Sequence, residues 1–216
     1  MDFQKIREQV IEASLDLQRK QLIRGTSGNI TIRTGDPDLI AITPTSIPYE
    51  KLTPDMIPIV DLKGRQVEGS CKPSSELPMH LAILKARPDV GAVVHTHSRF
   101  ATVLSILGID LPIVTIPLML YAPSPAPLVP FKLPGSAELG EAAVRYLGEN
   151  GTGLLLEHHG LVAVGADIDK AMTAAEYIEE GAEIAYYCQL AAGKIDAIPD
   201  DKVEELRRIL ESGRAL

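Results

Sequence analysis

Two short apolar runs in this chain end in histidine, and that pattern limits both the elements it can form and where a polar site can sit. Val90-Gly91-Ala92-Val93-Val94 leads into His95-Thr96-His97, and Leu154-Leu155-Leu156-Glu157 leads into His158-His159-Gly160. Apolar runs this short, bounded by polar residues, predict buried strands. Residues i and i+2 of a strand share a face, so His95 and His97 can reach one ion. A third imidazole from a second strand end would complete a three-histidine site with an open position, the pattern of a catalytic metal centre. Successive strand residues face opposite ways, so only one of His158 and His159 should join it. The sequence by itself leaves that choice open. Imidazoles without a thiolate suit Zn²⁺, with Co²⁺, Mn²⁺ or Fe²⁺ as alternatives.

The surrounding pattern places these runs in an α/β chain. Helical spacing of Ile6, Val10, Ile11, Leu15, Leu17 and Leu22 predicts a helix over 3–24, ended by Gly25. Strands are predicted over 29–33 and 39–42, turning at Asp36-Pro37-Asp38, and over 57–60 and 65–68, turning at Lys63-Gly64. A helix over 75–86 tolerates Pro78 in its first turn. A strand at 91–95 and a helix near 98–107 follow. Residues 112–135 hold seven prolines, which predicts a strand and then an irregular surface loop with no regular helix. Helices over 136–149, 168–192 and 199–212 and strands over 153–157 and 161–164 complete the chain. Hairpins argue against a purely parallel, doubly wound sheet, and no Gly-x-Gly-x-x-Gly follows a strand. The expected architecture is one domain over residues 1–216 with a mixed sheet.

Bulk properties narrow the partners. A formal net charge of -8 and the lack of a basic stripe argue against nucleic acid. No apolar run is long enough to span a membrane, and the opening MDFQKIREQV is charged, without an apolar signal region. Cys71 and Cys188 are far apart and outside any CxxC pair, which reads as reduced thiols in a cytoplasmic chain.

Three further segments could serve chemistry. Lys72-Pro73-Ser74-Ser75-Glu76 stands where a loop enters a helix, and free N–H groups, two hydroxyls and the helix dipole suit an anion. A plain serine N-cap is the ordinary reading of that stretch. Glu76, in the first turn, could satisfy the dipole, act as a base or ligate the metal. His80, one helical turn later, reads as a packed or hydrogen-bonded histidine. Gly25-Thr26-Ser27-Gly28-Asn29 and Thr43-Pro44-Thr45-Ser46 are turns that, together with Ser74 and Ser75, could supply the converging donors a phosphate requires.

These motifs, in this order, resemble the class II aldolases of the L-fuculose-1-phosphate aldolase, L-ribulose-5-phosphate 4-epimerase and adducin-head superfamily. The carriers are Gly25–Asn29, Thr43–Tyr49, Pro73–Glu76, His80, Val94–His97 and His158–Gly160. Ile47–Leu52 and Ser74–Glu76 look closest to the fuculose-phosphate aldolase branch. The resemblance implies an αβα three-layer sandwich on a mixed, mostly antiparallel sheet, and a homotetramer with interfacial active sites. It implies Zn²⁺ held by His95, His97 and His159, with Glu76 as acid/base and ligand of the empty metal. It implies a phosphate cradle of Gly28, Asn29, Thr45, Ser46, Ser74 and Ser75. The implied activity is cleavage of a ketose 1-phosphate, L-fuculose 1-phosphate or a related 5-deoxy or methylthio sugar phosphate. Products would be dihydroxyacetone phosphate and a small aldehyde, formed through a metal-stabilised enediolate that Glu76 protonates. The same metal motif serves dehydratases of the methylthioribulose-1-phosphate type, sugar-acid phosphate decarboxylases and ribulose-phosphate 4-epimerases. Adducin-like heads, which are non-catalytic interaction modules, lack the metal histidines. The chain also departs from the branch. Ile116 stands where the branch has an aldehyde-side tyrosine, with Tyr121 five residues on, and the tail Glu211–Leu216 carries no tyrosine. Ser46 stands where the relative has glycine. The run Ile116-Pro117-Leu118-Met119 should make that side of the site apolar.

Overall fold

The period-two runs become the strands of an eight-stranded sheet in the order β4-β3-β2-β1-β5-β8-β7-β6, seen in a computed structural model that describes residues 3–212. The strands are β1 (Asn29–Arg33), β2 (Leu39–Ile42), β3 (Ile59–Asp61), β4 (Gln66–Glu68), β5 (Ala92–Thr96), β6 (Leu128–Val129), β7 (Gly153–Leu156) and β8 (Gly160–Gly165). Each neighbouring pair is antiparallel except β6 with β7, which is parallel. The sheet is therefore mixed and mostly antiparallel, as expected from the hairpins.

Alternation along the strands divides the core between two faces. Ile30, Ile32, Val94, Leu161 and Ala163 pack with helices α1 (Gln4–Arg19), α3 (Arg99–Leu107), α4 (Ile116–Tyr121) and α6 (Ile168–Ala192). Ile40, Ile42, Val93, Leu156 and Val162 pack on the other face with α2 (Leu77–Ala86) and α5 (Ala137–Leu147). Helices on both faces of one sheet make the three-layer αβα sandwich. Helix α7 (Asp200–Glu211) sends Val203 into the first core. None of the described helices is long and apolar enough to cross a membrane.

Three local expectations need correction. Helix α1 stops at Arg19, well short of Gly25, because Gln21 takes a left-handed φ of 59°. The Leu22 N–H then closes back on the Leu17 carbonyl at 2.9 Å, a Schellman-type end. Leu22 and Ile23 are thereby buried, and that burial offsets the strain of a non-glycine residue there. The proline-rich stretch does hold a helix, α4, because its one proline, Pro117, sits in the first turn, where no N–H is missed. Thr115 caps it, accepting from the Leu118 N–H. Helix α2 begins at Leu77, later than expected, so Glu76 is its N-cap residue instead of a first-turn residue. The last four residues of the tail lie outside the described range.

Candidate active site

The parity of β5 sets the site. His95 shares its strand face with Val93, so its ring turns towards the α2 layer. Asn29 is its register partner on β1. Glu76 comes down from the N-cap of α2. His97 lies just past the end of β5. His159 arrives from the turn joining β7 to β8, where Leu156 accepts the His159 N–H at 3.0 Å and His158 takes a left-handed φ of 56°. A three-residue hairpin loop with one left-handed residue is a standard closure. It turns His158 out to solvent and His159 inward. The selection between the two thus comes from a turn, since neither is a strand residue.

Ligand atoms of Glu76, His95, His97 and His159 all lie within 4.8 Å of one another. The three rings pack at centroid separations of 4.7–4.9 Å and mutual angles of 68–69°, a nearly three-fold tripod. Nε2 of His97 is 3.1 Å from Nε2 of His95. Nε2 of His95 is 3.1 Å from Oε2 of Glu76, and Nε2 of His159 is 3.4 Å from Oε1. Nδ1 of His95 donates to the Leu161 carbonyl at 2.9 Å, which leaves Nε2 free as a ligand. Burial first, then the neighbouring imidazoles, push His97 and His159 down to about 4, so both are neutral near pH 7. Burial alone would raise the Glu76 carboxyl. Its interactions with His95, Asn29 and His159 outweigh that and hold it well below the usual carboxylate range.

These residues fit a metal. Nε2 of His95, left as an acceptor by the Nδ1 bond to Leu161, faces Nε2 of His97 at 3.1 Å, and one small cation between them would take both as ligands. The spacing is close to the ~3.3 Å edge of a tetrahedron with metal–nitrogen bonds of about 2.0 Å. Oε1 of Glu76 is buried without a hydrogen-bond partner among the described residues. A cation would satisfy it.

The three donor-rich loops lie side by side next to this cluster. Ser74 N–H donates to the Thr43 carbonyl at 3.0 Å and Thr45 N–H to the Lys72 carbonyl at 3.1 Å. Pro44 and Pro73 form a bridge between the two loops. The Tyr49 hydroxyl, shared between the Ser27 and Gly28 carbonyls at 3.0 and 2.8 Å, ties in the first loop. Gly28 has φ +76°, and a Cβ there would stand 2.7 Å from the His95 carbonyl oxygen. Thr45, Ser46 and Ser75 are exposed, Gly28 is half-buried, and Ser74 is buried with its Oγ accepting from the Glu76 N–H at 3.2 Å. Ser46 adopts φ 57°, a conformation that glycine takes without strain. The Asn29 side chain is committed elsewhere: its Nδ2 donates to Oε2 of Glu76 at 2.8 Å and its Oδ1 bonds His80.

His80 is fully buried and hydrogen-bonded, to Asn29 and at 2.8 Å to Thr31. Thr31 was not among the residues singled out from the sequence, although its position two residues after Asn29 puts it on the same strand face. The apolar run after Ile116 departs from expectation. Leu118 and Met119 are core residues, Leu118 lying against Gly181, while Ile116 and Pro117 are exposed. Tyr121 stacks on Tyr177 at 4.3 Å and lines a cavity of about 630 Å³ with Val90, Thr152 and Gly165. That cavity is at the opposite end of β5 and β8 from the imidazoles.

Comparisons with known proteins agree with this geometry. Residues 8–186 match the family described as Class II Aldolase and Adducin N-terminal domain. The chain is 36% identical over 211 residues to the 5-deoxy-D-ribulose 1-phosphate aldolase of Bacillus thuringiensis serovar kurstaki, covering 98% of each chain. It is 37% identical over 211 residues to the L-fuculose phosphate aldolase of Escherichia coli K12, covering 98% of this chain and 95% of that one. Its fold superposes on a solved L-fuculose 1-phosphate aldolase with a TM-score of 0.91 at 27% identity, over 98% of both chains. The chain therefore belongs to the class II aldolase and adducin family, and within it to the metal-dependent aldehyde-lyases.

Proposed function

We propose that this protein is a zinc-dependent aldolase that cleaves a ketose 1-phosphate to dihydroxyacetone phosphate and a small aldehyde. The substrate is L-fuculose 1-phosphate or a related 5-deoxy or methylthio sugar phosphate, classes that the names of the relatives carry. The observation that supports it best is the convergence of three imidazoles and one carboxylate beside three donor-rich loops. His95, His97 and His159 would hold Zn²⁺. When bound, that ion supplies Lewis-acid polarisation of substrate oxygens and stabilises the negative charge left by C–C cleavage.

The remaining work falls to the chain. N–H groups of Gly28, Ser46 and Ser75 and hydroxyls of Thr45, Ser46, Ser74 and Ser75, with the Asn29 backbone, would cradle the phosphate next to the N-terminus of α2, where the helix dipole favours an anion. Glu76, buried and ionised at rest, would remove the proton from the hydroxymethyl carbon in the condensation direction; in cleavage it would first take up a proton and then deliver it to the enediolate carbon. The site would work in a cytoplasmic homotetramer. Ile184, Tyr187 and Leu190 of α6, with Ile106 and Leu107 of α3, are exposed apolar side chains suited to such contacts.

Zinc-loaded protein incubated with dihydroxyacetone phosphate in D₂O, without aldehyde, tests the reading. Deuterium should enter the hydroxymethyl carbon that bears no phosphate, and Glu76→Gln should slow this by about 10²–10⁴-fold. No exchange in the wild type, with water loss or CO₂ release from phosphorylated sugars or sugar acids instead, would move the reaction to another branch of the family.

A further inference from the structure

A line of hydrogen bonds runs from Glu76 away from the imidazoles: Glu76 to Asn29, Asn29 to His80, His80 to Thr31. The links from Asn29 onward are all buried. The direction of every bond follows from one end. An ionised carboxylate only accepts, so the Asn29 NH₂ group faces Glu76. The Asn29 carbonyl oxygen must then face His80, so His80 Nε2 carries the hydrogen. Nδ1 is left as a lone pair, and the Thr31 hydroxyl donates to it. The reverse tautomer would set the His80 Nε2 lone pair against the Asn29 oxygen, or turn that oxygen towards the Glu76 carboxylate. Either is repulsive in a site closed to water. The geometry agrees with a neutral ring, since burial pushes His80 down to about 3.

We propose that His80 is a positioning residue for Glu76: its Nε2–H holds the Asn29 carbonyl oxygen, the amide so held fixes the face that Glu76 turns to the reacting carbon, and the Thr31 hydroxyl anchors the ring by donating to Nδ1. Strand parity makes the line continuous. Asn29 and Thr31 both point from β1 to α2, and His80 stands one turn along α2 from Glu76. Among the described residues, the hydrogen bonds of the His80 ring go to Asn29 and Thr31 and to none of the three imidazoles. The inference rests on the aldolase reading in so far as Glu76 is the proton carrier.

Gln and Asn substitutions at His80 separate the two ring nitrogens, because a glutamine amide nitrogen reaches where Nε2 was and an asparagine reaches only Nδ1. With the zinc-loaded protein, His80→Phe should lower kcat about 10–100-fold with KM and zinc content little changed. His80→Gln should recover most of that loss, and His80→Asn should not. In the metal-free protein, the Asn29 side-chain amide signals in ¹H–¹⁵N NMR should move in His80→Phe and stay near their wild-type positions in His80→Gln. Thr31→Val, a change of similar volume on a strand, should move the same signals if His80→Phe fails to fold. Unmoved Asn29 signals in these variants, or equal kcat in the Gln and Phe variants, overturn the proposal. If the wild type shows no turnover on any sugar phosphate, the aldolase reading fails, and the Asn29 signals still decide the positioning role.

Discussion

Asn29 and His95 face each other across β1 and β5 and meet on the same oxygen, Oε2 of Glu76, at 2.8 and 3.1 Å. One strand pair thus delivers both the amide that orients the carboxylate and an imidazole of the tripod.

The tripod is specific to one histidine of the 158–159 pair. His97→Ala and His159→Ala should each lose bound zinc and turnover together, measured by metal content after gel filtration and by aldol cleavage. His158→Ala should keep both, because His158 points to solvent. Full zinc and full activity in His97→Ala would falsify the three-imidazole site.

Acid should weaken the metal-free fold through its neutral histidines. His80, at about 3, and His97 and His159, at about 4, resist protonation when folded, whereas unfolded histidine titrates near 6.5. Between those values the unfolded chain binds more protons, so stability is full above about pH 6.5 and falls as pH drops. From pH 7 to 5 the buried His80 alone should cost roughly 2 kcal/mol. Urea melts of chelator-treated protein should show this slope, and His80→Phe should flatten it by about one proton.

Gly28 is held by its surroundings as well as by its φ. In Gly28→Ala the added Cβ would press on the His95 carbonyl oxygen and the Ile23 side chain, both at 2.7 Å, in a left-handed conformation. The expected loss is about 1–3 kcal/mol of stability by thermal or urea melting, with weaker phosphate binding. An alanine variant of wild-type stability and KM would show that the loop relaxes freely there.

The exposed apolar row on α6 should be covered in solution. Light scattering should give four copies of the 23.3 kDa chain, and Leu190→Lys with Tyr187→Lys should reduce that mass. A monodisperse wild-type monomer would rule out the tetramer.

Much of this was legible because the informative residues sit on strands. Ala92–Thr96 and Gly153–Leu156 announce themselves as short apolar runs, and period-two parity places His95. Sequence parity allowed only one of His158 and His159 into the site but could not choose between them, because a turn and a positive φ decide, and turn geometry leaves little trace in residue type when no glycine marks it. Gln21 hid the end of α1 for the same reason, its left-handed conformation being held by burial of Leu22 and Ile23. Proline density concealed α4, since proline at a first turn reads like proline in a loop. Thr31 and His80 were hard to rank because their importance depends on a bond to Asn29, a relation between elements that local pattern does not encode. Tyr121 could be placed only by its stacking on Tyr177.

The imidazoles and the carboxylate come from different parts of the architecture. His95, His97 and His159 stand at the ends of two paired strands in the middle of the sheet, while Glu76 stands at the mouth of a helix laid over it. In the proposed mechanism, a substitution along α2 would retune Glu76 while the strand ends that carry the tripod stay as they are. The two can diversify separately, so one rigid platform is able to serve several proton chemistries by changes confined to a single helix end.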